Sequence, residues 1–380
     1  MENSVNTGPF SGILVIDFSH GIDGPFGTQM LCDLGARVIK IEQSPHGDES
    51  RTYGPFVGGQ SVSYAFINHG KESIKLNLNN NKDYNIFINM VKQADVLVDN
   101  HQSDIIHKLG LTLEKLHKIN PKIIYASSSL FGHTSQLRND SVYNIIIRAL
   151  SGFMLENGIS NSYNVCSCAL LSDLCSGLYI FSGIVSALYA RDKNGQGAHV
   201  DIAIFDSFFS LLSIGIISYI ASQTPSSHFN KISPVIDKFD IFETKDKPII
   251  MFSGNNDLFI SLCKSLGKNE WINDKRFINE ELRSKHKNDL KSMIEKILKS
   301  QSAEYWLEKA NSSGAPFAPV LSLTEAAQIP QIQARKMIIK AGDIRVPGNP
   351  IKISGYPDHF IRQEAVSINQ HSELLRHEFK

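Results

Sequence analysis

The sequence lacks several features that mark common classes of protein. Its 38 lysine and arginine residues balance 38 aspartate and glutamate residues, so no net field favours nucleic acid or an anionic membrane surface as a partner. The motifs of dinucleotide- and phosphate-binding loops, HExxH zinc sites, EF-hand calcium sites and GxSxG hydrolases are all absent. These absences leave small molecules or another protein as the expected partners.

Cysteine is scarce and follows neither a metal-binding nor a disulfide pattern. The five cysteines are odd in number. Cys166 and Cys168 are one residue apart, without the two-residue gap and second pair of a zinc site. Residues 1–8 are polar and acidic, unlike the basic start and apolar core of a signal peptide. We therefore predict a reduced, cytoplasmic chain without a metal site.

A long apolar run free of polar residues is also missing. The most apolar stretch, 203–221, is long enough to span a membrane, yet Asp206 and serines at 207, 210, 213 and 218 interrupt it. We interpret this stretch as a buried core helix and predict no membrane partner.

What is present is an alternation of strand and helix patterns. Short apolar runs predict strands at 13–17, 37–41, 96–98 and 122–126, and alternation of residue types predicts a strand at 200–204. After Ser19, His20 and Gly21 a helix-like stretch runs to Asp33, and further helical patterns lie at 104–108, 144–155 and 174–189. Strands that alternate with helices form a parallel sheet covered on both faces, which predicts a Rossmann-like α/β domain.

A polar stretch from Gln223 to Lys231 suggests a domain boundary. Beyond it, two predicted strands (240–244 and 249–253) and repeated helical patterns indicate a smaller α+β domain. The C-terminal segment has few apolar runs, so we expect it to return to the large domain or to a partner chain. The predicted divisions are a large domain over 1–222, a small domain over 223–322 and a C-terminal segment over 323–380.

Asp173 is the residue most suggestive of chemistry. It precedes an apolar run from Leu178 to Tyr189, and a carboxylate buried in such surroundings is costly unless donors compensate it. Such a group is a candidate nucleophile. The local sequence alone favours a helix cap, in which Ser172 or Asp173 accepts hydrogen bonds from the first turn.

The first crossover reads His20-Gly-Ile-Asp-Gly-Pro25. Its glycines and the start of the following helix could hold a phosphate through backbone N–H groups, although many unrelated proteins share this pattern.

Several segments, in order along nearly the whole chain, resemble the family III CoA-transferases. This family is also called the CaiB/BaiF or formyl-CoA transferase family and includes the α-methylacyl-CoA racemases. The matching segments are 15–25, 34–42 with 47–51, 94–100, 149–152, 195–201 and 314–320.

The resemblance implies that Asp173 is the nucleophile. Its carboxylate would attack the thioester of a donor acyl-CoA to give a mixed anhydride, and an aspartyl-CoA thioester would then pass CoA to a small carboxylic acid. The family also implies an interlocked, ring-like homodimer. Acyl-CoA would be a substrate, and no cofactor would be bound permanently.

The resemblance also implies which residues surround the substrates. Tyr53 and Asn144 fall at positions of the substrate pocket. The positions that correspond to CoA contacts are His20, Gly21, Ile22, Asp23, Gln43, Leu76, Asn100, His101, Lys108, Leu109 and Tyr143.

Two alternatives stay open. Racemases of the family pair a histidine with an aspartate, but Tyr143 stands at the histidine position and is a poor base at neutral pH. Gln43 and Lys108 replace family arginines, which weakens the expected phosphate contacts. Together with the departures from the family pattern at Ile22 and Asn144, this motivates a non-catalytic acyl-CoA-binding protein.

Three positions depart from the formyl-CoA transferase pattern. Ile22, Tyr53 and Asn144 stand where that pattern has glutamine, tryptophan and glutamate. These departures predict an acid other than formate or oxalate.

Overall fold

The computed structural model describes residues 7–43, 46–101, 109–135, 144–156, 170–222, 239–252, 255–359 and 361–380. The chain divides into two compact units. The first comprises residues 1–213 and 330–380, and the second comprises residues 214–329.

The bounds of the elements are as follows. The strands are β1 Leu14–Asp17, β2 Arg37–Gln43, β3 Phe56–Val57, β4 Gln60–Ser61, β5 Glu72–Leu76, β6 Val96–Asp99, β7 Ile124–Ser129, β8 Ala198–Ala203, β9 Phe239–Phe242, β10 Ile249–Phe252, β11 Phe317–Pro319, β12 Ile338–Ala341, β13 Ile344–Pro347 and β14 Ile361–Arg362. The α-helices are α1 Asp23–Asp33, α2 Val62–Asn68, α3 Asn81–Gln93, α4 Leu113–Ile119, α5 Asn144–Leu150, α6 Phe153–Glu156, α7 Leu171–Asn194, α8 Ile204–Ser210, α9 Ser213–Ser222, α10 Asn256–Ser265, α11 Glu280–Lys285, α12 Lys287–Leu298, α13 Ala303–Ser313, α14 Leu323–Ala326, α15 Pro330–Ala334 and α16 Ser372–Glu378.

The first unit is built on a six-stranded sheet in the order β5-β2-β1-β6-β7-β8. All of its neighbouring strands are parallel. The chain runs from β1 outward through β2 to β5. It then crosses to the other side of β1 at β6 and continues outward through β7 to β8. Ligands of such sheets bind at the carboxyl ends of the strands where the direction reverses, here between β1 and β6. The predicted α/β fold with a parallel sheet is confirmed.

Successive strand residues point to opposite faces of this sheet, and both faces are apolar. One face packs on α1 and α7 through Val15, Leu31, Val38, Val96, Val98, Ile180 and Ile184. The other face packs on α3, α4 and α16 through Ile16, Ile39, Leu97, Phe87, Met90, Leu116, Leu375 and Phe379. Burial on both faces explains why the predicted strands are continuous apolar runs.

Strand β5 is missing from the sequence prediction. It is an edge strand in which Ile74 and Leu76 are the only apolar residues. Its polar Ser73 is nevertheless buried and donates to Glu42 Oε1 at 2.6 Å. A strand that buries a hydroxyl on a charged partner carries little of the hydrophobic signal from which strands are predicted.

The C-terminal residues pack on the first unit. Arg37 bonds both Glu72 and Glu378, with Nε–Oε1 and Nη1–Oε1 distances of 2.7 and 2.5 Å. Leu375 and Phe379 of α16 belong to the buried core of the sheet. Helix α16 therefore completes one face of this unit.

The second unit contains a three-stranded antiparallel sheet, β11-β10-β9, with helices α10 to α13. Its own core includes Phe242, Met251, Phe259, Leu262, Trp271, Phe277, Ile294 and Trp306. Strands β9 and β10 overlap the two strands predicted after the polar stretch at 223–231.

The interpretation of residues 203–221 as one buried helix is wrong. The stretch forms β8's last residue and two helices, α8 and α9. Leu211, Ile217, Tyr219 and Ile220 are exposed.

Among the described helices, α7 is apolar and long enough to cross a membrane, but half of its most apolar window is buried inside the protein. The bent pair of α8 with residues 215–221 passes the same test only if it is taken as one span.

Candidate active site

Asp173 lies in the first turn of α7, on the helix that packs against the sheet. Leu170 is the N-cap residue and makes no side-chain cap hydrogen bond. Asp173 is 6% exposed. The interpretation of Ser172 or Asp173 as the cap is therefore wrong, and the carboxylate stands near the positive end of the helix dipole.

Two glycines allow α1 and α7 to approach each other closely. A Cβ atom on Gly177 would lie 2.7 Å from the carbonyl oxygen of Asp23. A Cβ atom on Gly27 would lie 2.8 Å from Ile180 Cγ2. Both distances are shorter than real Cβ contacts, so the approach requires glycine at each position. It brings the first turns of the two helices together.

The surroundings of Asp173 shift its protonation toward neutral pH. Burial and then the negative charge of Asp23 raise the pKa of Asp173 to about 7, while the positive charge of Arg148 acts in the opposite direction. Arg148 comes from α5 and is 3% exposed. A carboxylate with this pKa is poised between its two forms, as is common at catalytic sites.

Asp23 is held by residues from two other strand ends. Asn100 Nδ2, just after β6, donates to Asp23 Oδ1 at 2.6 Å. Ser128 Oγ, on β7, donates to Asp23 Oδ2 at 2.5 Å. Asn100 also joins the first crossover, since its Oδ1 accepts from the backbone N–H of His20 at 2.8 Å. The side chain of Asp23 is thus an anchored, buried charge beside Asp173.

His20, Gln43 and His101 line a cavity of about 220 Å³ at the carboxyl ends of β1, β2 and β6. Gln43 Nε2 lies 3.0 Å from His101 Nε2. His101 Nδ1 lies 2.7 Å from Asp99 Oδ1, which orients the ring. The structure therefore brings three of the residues predicted to contact CoA around one opening.

A buried cluster of charges supports this edge of the sheet. Lys71 Nζ donates to Asp17 Oδ2 at 2.8 Å and to the carbonyl oxygen of Pro25 at 2.9 Å. Lys40 Nζ lies 2.7 Å from Asp48 Oδ2. Asp48 Oδ1 in turn lies 3.3 Å from the backbone N–H of Gly21. These bonds tie the first crossover and α1 to β1, β2 and β5.

The backbone conformation at position 21 and the close approach of Glu49 both favour glycine there. Its φ of 71° lies in the left-handed region. A Cβ atom there would also be 3.2 Å from Glu49 Oε1. Ile22 follows as the N-cap residue of α1.

The remaining predicted substrate-pocket and CoA-contact residues in the described part of the chain do not line the 220 Å³ cavity. Tyr53 is partly exposed, and burial together with Glu49 raises its pKa to about 12, with a smaller contribution from Asp173. Leu76 is buried and Leu109 partly buried in the core beneath the sheet; neither lines the 220 Å³ cavity. Lys108 and Tyr143 lie outside the described residues, and only the backbone of Asn144 is described, at the start of α5.

Sequence reasoning missed Ser128 and Arg148. Ser128 lies inside an ordinary strand, and no local signal distinguishes it. Arg148 interrupts the apolar stretch Ile145-Ile146-Ile147-Arg148-Ala149-Leu150. A lone cation in an apolar helix is a signal of buried charge that could have identified it.

The fold and the site define an α/β protein with a buried carboxylate in the first turn of α7 and a cavity at the switch point of its sheet. A similar fold is found in the crystal structure of a CAIB/BAIF family protein from Brucella suis, with a TM-score of 0.86 and 29% identity over 98% of this chain and 100% of that one. An acetyl-CoA:oxalate CoA-transferase from Acetobacter aceti is 44% identical over 98% of this chain and 96% of its own length.

A human succinyl-CoA:glutarate CoA-transferase is 30% identical over 92% of this chain and 82% of its own length. The family model of CoA-transferase family III matches residues 10–372. This chain belongs to CoA-transferase family III and is an enzyme that transfers CoA. The resemblance on which the sequence prediction rested is confirmed.

Proposed function

We propose that this enzyme moves CoA from acetyl-CoA to oxalate through covalent intermediates on Asp173. The observation that carries the proposal is the buried carboxylate of Asp173 at the first turn of α7, with Asp23 and Arg148 acting on it. Splitting the exchange into steps on one enzyme carboxylate avoids a direct reaction between the bound thioester and the acceptor acid.

The proposed sequence of steps begins with attack of the Asp173 carboxylate on the thioester carbonyl. The C–S bond breaks, CoA leaves as a thiolate, and an acyl-aspartyl anhydride forms. The thiolate then attacks the aspartyl carbonyl, which releases the donor acid as a carboxylate and leaves an aspartyl-CoA thioester. The acceptor carboxylate repeats these steps in reverse, so Asp173 returns as a free carboxylate and CoA leaves on the acceptor.

The first turn of α7 and Arg148 are the two features that would stabilise the charged intermediates. The N-cap residue of α7, Leu170, provides no side-chain cap, and backbone N–H groups in the first turn of a helix can donate to the oxyanion of a tetrahedral intermediate. Arg148 lowers the pKa of Asp173 and so favours the nucleophilic form. A buried arginine also suits a second carboxylate on the acceptor acid.

We assign the 220 Å³ cavity to an uncharged part of CoA. Glu42, Asp48 and Glu49 line it together with His20, Gln43 and His101. Arg51 pairs with Glu42, and Lys40 pairs with Asp48. A phosphate would still meet Glu49, so the pantetheine arm fits this lining better than the phosphates do.

The choice of acetyl-CoA and oxalate rests on the Acetobacter aceti relative at 44% identity. It departs from the expectation drawn from Ile22, Tyr53 and Asn144, which pointed away from oxalate. Those three positions were compared with a formyl-CoA transferase pattern. A formyl-CoA:oxalate CoA-transferase from Escherichia coli is only 27% identical, so its pocket is the weaker guide.

We also propose a homodimer in a reducing, cytoplasmic setting. The outer side of α7 exposes Leu178, Tyr179 and Tyr189, and an apolar helix face of this kind suits a partner chain. Cys32, Cys175 and Cys263 are buried free thiols. Light scattering during size-exclusion chromatography tests the dimer, which a monomer mass would refute.

Mass spectrometry of the protein incubated with acyl-CoAs tests the proposed function. We expect acetyl-CoA to give a hydroxylamine-sensitive adduct on Asp173, and the Asp173→Ala variant to give none. Formation of oxalyl-CoA and acetate in the same mixture would establish the acids. Exchange of the acyl α-proton without an adduct would instead indicate a racemase, and CoA binding without either signal would indicate a binding protein.

A further inference from the structure

A second cavity lies at the opposite end of α1 from Asp173. Its volume is about 310 Å³. It is bordered by residues 7–9, by the end of α1 at Asp33 and Leu34, and by residues from 334–336 and 349–362. Because α1 has 11 residues, this end of the helix is about 15 Å from the end that carries Asp23. The cavity is formed wholly within the first unit.

The lining carries more positive than negative charge. Its cations are Arg335, Lys336, Lys352 and Arg362, and its anions are Asp33 and Asp358. Lys352 Nζ lies 2.7 Å from Asp358 Oδ2, and Lys336 Nζ donates to the carbonyl oxygen of Asp358. Asp33 Oδ1 lies within 3.2 Å of nitrogens of both Gln29 and His69. One oxygen of each carboxylate in the lining therefore already has a close partner.

Among the described residues, Arg362 has two ion pairs, and neither brings a carboxylate oxygen within hydrogen-bond distance of its guanidinium. Its Nε is 4.0 Å from Asp33 Oδ1, and its Nη2 is 3.8 Å from Asp358 Oδ1. Both distances are too long for hydrogen bonds. The Nε atom is also buried without a hydrogen-bond partner among the described residues. A charged donor in that state is costly, so the site is incomplete as it stands.

Asn349 is a second lining residue with a buried donor that lacks a partner among the described residues. It is 7% exposed. Its Oδ1 accepts from the backbone N–H of Ile351 at 2.9 Å, which fixes the orientation of the amide. Its Nδ2 is buried and has no partner among the described residues. Two buried donors without hydrogen-bond partners among the described residues therefore line one cavity.

The backbone around Asn349 is tightly constrained. Lys336 has a φ of 48°, in the left-handed region, which is costly for a residue other than glycine. A Cβ atom on Gly348 would lie 2.0 Å from the carbonyl oxygen of Lys336. The Gly348 N–H also donates to the carbonyl oxygen of Met337 at 2.9 Å. These contacts hold the donors of the cavity in place rather than leaving them to rotate toward solvent.

We propose that this cavity binds a small multivalent oxyanion, with Asn349 Nδ2 and Arg362 Nε as buried donors and Arg335 as an outer cation. Carboxylate and phosphate groups share the required chemistry, because both accept paired hydrogen bonds from a guanidinium. The site is separate from the one assigned to CoA and does not depend on the proposed reaction.

Isothermal titration calorimetry of the full-length protein with citrate and with inorganic phosphate tests this site. Saturating CoA in both solutions keeps the CoA site filled, and sodium chloride matches the ionic strength. The informative variant is Asn349→Asp, which keeps the acceptor for Ile351 and replaces the buried donor with an acceptor. Arg362→Gln removes the charge, and Lys340→Gln on exposed Lys340 is a matched control outside the cavity.

We expect the wild type to bind at least one of the two anions. Binding should weaken by about tenfold or more in Asn349→Asp and Arg362→Gln and stay unchanged in Lys340→Gln. Citrate binding without phosphate binding would assign carboxylates, and the converse would assign phosphates. Absence of binding by the wild type at about 10 mM anion, an affinity too weak for a built site, would overturn the proposal. So would equal binding by the wild type and Asn349→Asp.

Discussion

Asp17 and Asp173 are both buried aspartates in the first unit, yet their pKa values are shifted in opposite directions. Burial raises the pKa of Asp17, but the charges of Lys40 and Lys71 outweigh it and hold that pKa well below its ordinary value. Burial raises the pKa of Asp173 to about 7, and the nearby charge of Asp23 adds to the effect. The difference lies in the partners, since both groups are removed from water.

The comparison separates a structural carboxylate from a reactive one. Asp17 Oδ2 accepts from Lys71 Nζ and from Thr28 Oγ1, each at 2.8 Å. These hydrogen bonds connect α1 and the residue before β5 to β1. Burial and the like charge of Asp23 outweigh the opposite charge of Arg148 at Asp173, so its carboxylate is not held in the ionised form as that of Asp17 is. The following predictions test this contrast, from the largest expected effect to the smallest.

Replacement of Asp173 by asparagine should abolish transfer while preserving the fold. An amide of the same shape cannot attack a thioester, so we expect kcat to fall by at least about 10³-fold. Steady-state formation of the product thioester measures this loss. Asp206→Asn, at an exposed aspartate, should retain activity. Substantial turnover by Asp173→Asn would contradict the role of Asp173.

Replacement of Asp17 by asparagine should have its main effect on stability. The change leaves Lys40 and Lys71 buried without their shared carboxylate, which costs on the order of 3–5 kcal/mol in the free energy of unfolding. Because the folded pKa of Asp17 is depressed, its contribution is present above the unfolded pKa and is lost as the pH falls through the folded value.

Urea unfolding at pH 7 measures the effect of Asp17→Asn, with Asp206→Asn again as the control. A loss of stability no greater than that of the control would show that the buried cluster does not depend on Asp17.

The pH dependence of Asp173 should have the opposite sign for stability. Its folded pKa is raised, so the folded state binds more protons than the unfolded chain between about pH 4 and pH 7. Stability is therefore lost as the pH rises through this window. We expect Asp173→Asn to be more stable than the wild type at pH 8, by on the order of 1–3 kcal/mol, and equally stable near pH 4.

Thermal unfolding at the two pH values measures this difference. Activity of the wild type should rise with pH through about 7 as the carboxylate forms. A flat activity profile combined with no stabilisation at pH 8 would show that the pKa of Asp173 is not raised.

The neighbours of Asp173 should shift this profile in opposite directions. Asp23→Asn removes a like charge and should lower the apparent pKa of Asp173 by about one pH unit. Arg148→Met removes an opposite charge and should raise it by a similar amount, and Arg148→Lys should restore it in part. The pH dependence of kcat/KM separates these outcomes. Shifts of the same sign in Asp23→Asn and Arg148→Met would contradict the assigned electrostatics.

The sequence was most informative where a signal is local or carried by ordered motifs. The first four strands of the large domain are predicted because each is a short apolar run, whereas β5 is missed because it buries Ser73 on Glu42. Asp173 was identified from the family motifs and its position before an apolar helix. Its interpretation as a helix cap failed because the helix begins two residues earlier, at Leu171.

The sequence by itself determined the alternation of strands and helices, the family and the identity of the candidate nucleophile. Only the tertiary structure decided which charges meet. Gly27 and Gly177 are far apart in the chain, yet their lack of side chains brings Asp23 to Asp173. Electrostatic effects depend on distance and burial, which arise from folding and not from spacing along the chain.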